Sequence, residues 1–395
     1  MKAQFATLPA ERQIDPVSLT ADLVRCPTVT PAEGGALQLL DDLLSAYGFD
    51  CTRVDRNGIP NLCAIWGKGK NGRTFGYNGH TDVVPIGNRD DWTYDPFGAE
   101  IRDGILYGRG ATDMKSSVAA FATAAIDFVE STPPDGCVIL AITGAEETAS
   151  PDGTPAILDW MGERGLQVDH FLVGEPTSLK TIGDAIKIGR RGAVTVYLTV
   201  TGVQGHSGYP EKAVNPLPAL VELLHAFQAE PLDQGTENFA PSTLAITTVD
   251  TGNPAHNVIP AVCKATVNIR FNDTWTSEKI LAWVSARTDR IAQEFGVQIS
   301  STHRLSGECF FTPPGRFSTL IQNAVRQETG LTPALTTLGG ISDARHLVNH
   351  CPVVEAGLTG ESLHKVDEHV SVEEIHALKA IYTRILHDYF NGAPL

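Results

Sequence analysis

Short apolar runs alternate with amphipathic stretches through the first half of the chain. NLCAIW (61–66), RTFGYNGH (73–80), CVILAIT (137–143) and DHFLVGE (169–175) read as strands. Residues 36–47 and 114–131 read as helices, the second rich in Ala. Strands alternating with helices predict an α/β layer structure, with helices packed around a mostly parallel sheet. After GRRG at 189–192 the period changes: AVTVYLTVTGV alternates apolar and polar, as a one-sided sheet does. A helix over about 215–230 follows, then strands 243–250 and 261–271, a helix over about 276–295 and a last strand, 297–304. That order, β-α-β-β-α-β, is the split βαβ or ferredoxin-like arrangement. From Cys309 the α/β pattern resumes, with a helix at 316–329, a strand at 352–358 and a final helix at 371–390. The expectation is a discontinuous first domain, 1–191 and 309–395, interrupted by an inserted domain, 192–308.

Three of the strand-like runs end in a candidate metal ligand. FGYNGH ends at His80, CVILAITGAEE at Glu146 and Glu147, and HFLVGE at Glu175. In open α/β sheets, ligands bind beyond the carboxyl ends of the strands. Asp113, in the Gly-rich segment YGRGATDMK, and His364, in GESLHKVDE, complete the candidates. Each alone has a plainer reading: His80 a hydrogen-bonded core residue, Asp113 a helix cap, Glu175 a strand-end charge, His364 part of a solvated loop. Together they form a set of two imidazoles and three carboxylates without a thiolate, which suits Zn2+, Mn2+ or Co2+. Five ligands exceed what one catalytic zinc uses and match two ions sharing a carboxylate. Adjacent side chains in extended backbone point to opposite sides. One member of the pair Glu146–Glu147 is thus expected to bind metal and the other to take a proton from water. Asp82, two residues after His80, is expected to lie on the same strand face and orient its ring.

Composition narrows the classes further. The 395 residues carry a formal net charge of −16 with Lys and Arg scattered, which argues against nucleic acid and an anionic membrane surface. No stretch approaches 18 apolar residues, and the N-terminal MKAQFATLPAERQIDPVS lacks an apolar leader core. Seven dispersed cysteines without CxxC spacing predict free thiols in a reducing cytoplasm, with Cys137 and Cys263 in apolar strand-like runs.

GHTDVVP, GRGATDMK, the paired Glu, VGEPTS, GRRG, GVQGHSGYP, HNVIP, NIRF, GGISDAR and LHKVDE follow one another in this order. From about residue 15 to the C-terminus the chain resembles the M20 family of dinuclear zinc amidohydrolases. The resemblance implies that His80, Asp113 and Glu175 bind one zinc and that Asp113, Glu147 and His364 bind the other, Asp113 bridging. It implies Glu146 as general base, Asp82 as support for His80, and a homodimer formed through the inserted domain. His206 would then reach the partner's active site and steady the developing oxyanion, a role worth several kcal/mol in an enzyme. Arg190, Asn257, Arg270, Lys187 and Gly340 would hold substrate, arginine binding carboxylates bidentately. The likeness is strongest to members that hydrolyse N-succinyl-L,L-2,6-diaminopimelate in lysine and diaminopimelate biosynthesis. Departures from their usual pattern at Ala193, Ile341 and Ala145, and Glu211 where His is common, keep open a relative acting on another N-acyl amino acid, such as N-acetylornithine. A binding protein that kept only the fold would be expected to lack a ligand or the base, and all five ligands and Glu146 are present.

Overall fold

The computed structural model describes residues 13–68, 72–148 and 150–392. The segment on which the missing leader is read, through residue 12, lies outside them, as do the expected domain ends at 1 and 395. The chain divides into two compact units. The first runs through Ile188 and includes Thr312–Thr336 and Ser342 onward; the second is Gly189–Phe311 with Thr337–Ile341. The division falls at 188/189 and 311/312, outside the 192 and 308 read from the pattern, because short strands Gly189–Arg190 and Phe310–Phe311 pair antiparallel and belong to the second unit.

The first unit is built on an eight-stranded sheet. Its spatial order is Asp50–Arg53, Asn61–Gly67, Gly136–Thr143, Arg73–His80, His170–Val173, Val353–Glu355, Ala185–Lys187 and Ala334–Thr336. The centre is parallel: Arg73–His80 pairs in parallel with both Gly136–Thr143 and His170–Val173, which pairs in parallel with Val353–Glu355. The edge formed by Asp50–Arg53 and Asn61–Gly67 is antiparallel. Gly136–Thr143 is buried along its whole length, as a parallel strand covered on both faces must be. Period-two alternation places Phe75 and Tyr77 on one face, where Phe75 meets Tyr389 at 4.8 Å and Tyr77 stacks on Phe121 at 4.0 Å. These rings seat helices Ser116–Ser131 and Val372–Asn391 against the sheet. At Gly76 a Cβ would fall 2.3 Å from the Phe171 ring, so no larger residue fits between the strands.

The second unit is a four-stranded antiparallel sheet in the order Thr243–Asp250, Val262–Phe271, Gly192–Thr201, Gln298–Gly307, with helices Pro216–Gln228 and Ser277–Phe295. Val194, Val196, Leu198 and Val200 point inward on alternate positions and pack with Val267, Ile269, Leu223, Phe227, Ile280 and Val284. Each side chain of this size contributes about 1.5–3 kcal/mol by leaving water. The element order is the split βαβ. The edge strand Thr243–Asp250 stays largely exposed.

Candidate metal centre

Three parallel strands point the same way, so their carboxyl ends meet. His80 closes Arg73–His80 and is in register with Thr143, three residues before Glu146; Asn78 is in register with Val173, two before Glu175. Asp113 comes from an irregular turn, Ala111–Lys115, that precedes helix Ser116–Ser131. It caps nothing: its φ of −123° and ψ of 96° are extended within that turn. His364 lies in the loop after Val353–Glu355, with a φ of 60°.

Two groups of ligand atoms result, each lying within 4.8 Å of one another: His80, Asp113 and Glu175, and Asp113, Glu147 and His364. Asp113 is shared. Its Oδ1 is 3.1 Å from His80 Nε2, and its Oδ2 is 3.1 Å from His364 Nε2. Glu175 Oε1 is 3.7 Å from His80 Nε2, and Glu147 Oε1 is 3.0 Å from His364 Nε2. One carboxylate thus offers one oxygen to each group. Hard oxygens and imidazoles with no thiolate among them fit a pair of divalent cations of the zinc, manganese or cobalt kind.

The paired acids separate by a route other than extended backbone. Glu146 and Glu147 lie in a turn past the strand end. Their N–H groups donate to the two oxygens of Asp82, each at 3.1 Å, and Thr30 Oγ1 donates to the same carboxylate at 2.9 Å. Asp82 itself lies beyond the end of the strand, not on its face. Its backbone carbonyl is 2.9 Å from His80 Nδ1, nearer than its carboxylate at 3.5 Å. Asp82 therefore orients the ring chiefly through its main chain, while its fully buried carboxylate holds the turn that aims Glu146 and Glu147. Glu147 turns to His364; Glu146 lies 3.9 Å from Arg345 Nη1.

Electrostatics follow from this crowding. Burial, reinforced by Glu175 and Asp343, pushes the Glu146 carboxyl well above the usual range, against the pull of His80 and Arg345. Burial opposes charge on Asp113, but hydrogen bonds from His364 and His80 outweigh it and hold Asp113 low. The bonds to Asp113 and Glu147 push His364 up to about 10. A neighbourhood this anionic favours cations at the ligand atoms.

The remaining expected site residues are placed as follows. Lys187 is buried in its strand, and its Nζ donates to the Pro176 carbonyl at 2.9 Å, next to Glu175. In the second unit, Arg190 is buried and donates to the Gly340 carbonyl at 2.8 Å. Arg270 is in register with Ala193 and Nε donates to Asn268 at 3.1 Å. His206 and Asn257 are exposed neighbours: the Asn257 carbonyl accepts from Ser207 N at 3.0 Å, and the His206 ring accepts from Gly208 N at 2.9 Å. Ala193 and Ala145 are buried, and Glu211 is exposed in the short turn Pro210–Lys212. Thr30, Arg109, Arg345 and Glu368 also build the centre and are not among the expected site residues, although GRGATDMK, GGISDAR and LHKVDE contain the last three; around Glu368 a run of charges reads as a solvated loop.

The sequence pattern of Peptidase family M20/M25/M40 matches residues 76–388. The chain belongs to that family. The M20 resemblance drawn from the motifs is thereby borne out. Among its relatives, succinyl-diaminopimelate desuccinylase 2 of Ruegeria sp. (strain TM1040) is 73% identical over 97% of both chains. Succinyl-diaminopimelate desuccinylase of Cereibacter sphaeroides (strain ATCC 17029 / ATH 2.4.9) is 59% identical over 95% of this chain and 99% of the relative. Among solved structures, the M20 family metallo-carboxypeptidase Sso-CP2 from Sulfolobus solfataricus superposes with a TM-score of 0.77 at 16% identity, over 94% of this chain and 98% of that one. The YXEP protein of Bacillus subtilis, described as a dinuclear metal-binding M20 peptidase, gives 0.72 at 15% identity, over 96% and 98%. These two likenesses establish the M20 α/β fold, with its mostly parallel central sheet.

Proposed function

We propose that this M20 chain is a two-zinc amidohydrolase that cleaves N-succinyl-L,L-2,6-diaminopimelate to succinate and L,L-diaminopimelate. The observation that carries the metal chemistry is Asp113, one oxygen facing each imidazole. The substrate rests on near full-length identity of 59–73% to desuccinylases. His80, Asp113 and Glu175 would hold one ion, and Asp113, Glu147 and His364 the other, with Co2+ or Mn2+ as substitutes. The pair, when bound, supplies Lewis-acid polarisation of the amide carbonyl and a lowered water pKa.

The protein's own groups do the rest. Glu146 takes a proton from the attacking water and delivers it to the amide nitrogen as the C–N bond breaks, so one residue serves as base and then as acid. Asp82 keeps Glu146 and Glu147 aimed apart. Arg190, Arg270, Asn257 and Gly340 hold the carboxylates and amide of the substrate; Lys187 acts with them by fixing the Glu175–Pro176 segment. His206 donates to the carbonyl oxygen as negative charge develops, across a homodimer formed by the inserted unit. The exposed edge strand Thr243–Asp250 supports that dimer, since an unpaired edge is a template for strand addition. We place the enzyme in the cytoplasm. Its cysteines are free, and among the described residues no helix is long and apolar enough to cross a membrane.

A second reading, deacylation of another N-acyl amino acid, is favoured by Ala193 and Ile341, which lack the hydroxyls usual there. Ruegeria sp. also carries two numbered desuccinylases, 73% and 58% identical to this chain. Turnover of N-succinyl-L,L-diaminopimelate by the zinc-loaded protein, beside N-acetylornithine, separates the two. Chelator-sensitive hydrolysis of the succinyl compound supports the first reading. A zinc-bound protein that hydrolyses only the acetyl compound overturns it.

A further inference from the structure

We propose that Glu368, clamped to Arg109, is a positioning residue that sets both the shared ligand Asp113 and the loop bearing His364; this rests on the two-metal reading above. Glu368 is fully buried, yet it belongs to neither group of candidate ligand atoms. Four donors converge on it instead. Oε2 accepts from Arg109 Nη1 at 2.8 Å and Gly110 N at 3.0 Å; Oε1 accepts from Thr112 N at 2.9 Å and Asp113 N at 3.1 Å.

The need for such an acceptor is local. Around Asp113 the backbone is neither helix nor strand, and its N–H groups point inward without a ladder. An ionised carboxylate with two oxygens satisfies three of them and an adjacent guanidinium at once. The same pair then ties down the opposite loop. Arg109 Nη1 also donates to the Lys365 carbonyl at 3.1 Å, and Gly108 N donates to the Glu368 carbonyl at 2.8 Å. Thr112 Oγ1 donates to the His369 carbonyl at 2.6 Å, and Ser362 Oγ, 3.0 Å from Thr112 Oγ1, donates to the same carbonyl at 2.7 Å. Arg109 Nη2 reaches the Pro85 carbonyl at 3.4 Å, on the segment that follows His80 and Asp82. Two of the three ligands in the group Asp113, Glu147 and His364 therefore stand on loops joined by Glu368, against one in the other group. A change at Glu368 falls mainly on the second ion.

The test titrates Co2+ into metal-free wild type and Glu368→Gln, following heat of binding and the visible absorption of the bound ion. Gln keeps the volume but offers one oxygen to four donors. The expected result is two ions per wild-type chain. Glu368→Gln should keep the far-UV circular dichroism and the first binding event, bind the second ion about 10- to 100-fold more weakly, and show altered absorption. At saturating metal, kcat should fall while KM changes little. Two ions bound with wild-type affinity and spectrum in Glu368→Gln, even with a lowered melting temperature, would overturn the positioning role. Uptake of fewer than two ions by the wild type would instead overturn the two-metal reading. If Glu368→Gln does not fold, Arg109→Lys is read in the same way. It keeps the charge beside Glu368 and loses the bonds to Lys365 and Pro85.

Discussion

Replacing Asp82 by Asn exchanges one carboxylate oxygen for an NH2 group at the point where the paired acids are held. Asp82 accepts three hydrogen bonds, Glu146 N on Oδ1, and Glu147 N and Thr30 Oγ1 on Oδ2. Asn can place its oxygen at either site. With the NH2 at the Oδ1 position, Glu146 N faces a donor; at the Oδ2 position, Thr30 can turn to accept but Glu147 N is orphaned. One inward-facing N–H is unsatisfied either way, which costs about 1–3 kcal/mol of stability. The orphaned N–H belongs to the proposed base or to a proposed metal ligand, so the turn shifts to find water. A displacement near 1 Å at a reacting group costs about 100-fold in rate. Asp82→Asn is therefore expected to lower urea-unfolding stability by about 1–3 kcal/mol and kcat by about two orders of magnitude, with a much smaller change in KM. Thr30→Val, which removes one donor and leaves both N–H bonds intact, should keep most of kcat. Asp82→Asn with wild-type stability and kcat would refute the account of how Glu146 and Glu147 are aimed.

Other expectations follow from the same geometry. Glu146→Gln should retain metal and fold while kcat falls by several orders of magnitude; near wild-type turnover with normal metal content removes Glu146 from proton transfer. His206→Ala should raise ΔG‡ by roughly 2–4 kcal/mol with little change in unfolding midpoint, and a fully active monomer in sedimentation would exclude its action across a dimer. Burial, with Arg384 nearby, holds the His387 ring down at about 4. The unfolded chain then binds more protons than the native one between about pH 4 and 6.5, so stability rises with pH across that window and is lost as pH falls through it. Denaturant melts of His387→Phe should lack that component, up to roughly 3 kcal/mol, and an unchanged pH dependence would refute it.

Much of the centre could be read from the chain because strand ends advertise themselves. His80, Glu146, Glu147 and Glu175 each follow an apolar run, and parallel pairing brings those ends together. What the pattern hid depends on contacts between distant loops. Nothing local tells that Asp82 faces the N–H groups of residues 64 and 65 positions later. Glu368 looks like part of a charged surface run until Arg109, far earlier in the chain, neutralises it in the interior. The motifs make Lys187 a substrate contact, and only the fold shows its Nζ donating to the Pro176 carbonyl. Element ends moved for similar reasons. The strand read as 352–358 is Val353–Glu355, since the Ala356 carbonyl turns to accept from Tyr382 Oη at 2.7 Å. The short strands Ala185–Lys187 and Ala334–Thr336 are too brief to show a period.

The strand Val353–Glu355 lies between His170–Val173 and Ala185–Lys187 in the eight-stranded sheet. On the ribosome this imposes an order of events. The second unit occupies an almost continuous stretch, Gly189–Phe311, and has its whole four-stranded sheet once that stretch emerges. The first unit, begun earlier, must wait with a gap in its middle until residues beyond 350 arrive, a closure of high sequence separation and correspondingly slow. His364 arrives later still. A nascent chain thus lacks the second candidate cation-binding group until His364 has been made. The sheet edges at 170–173 and 185–187 stand open meanwhile, which makes this stretch of translation the period in which the chain is most exposed to aggregation.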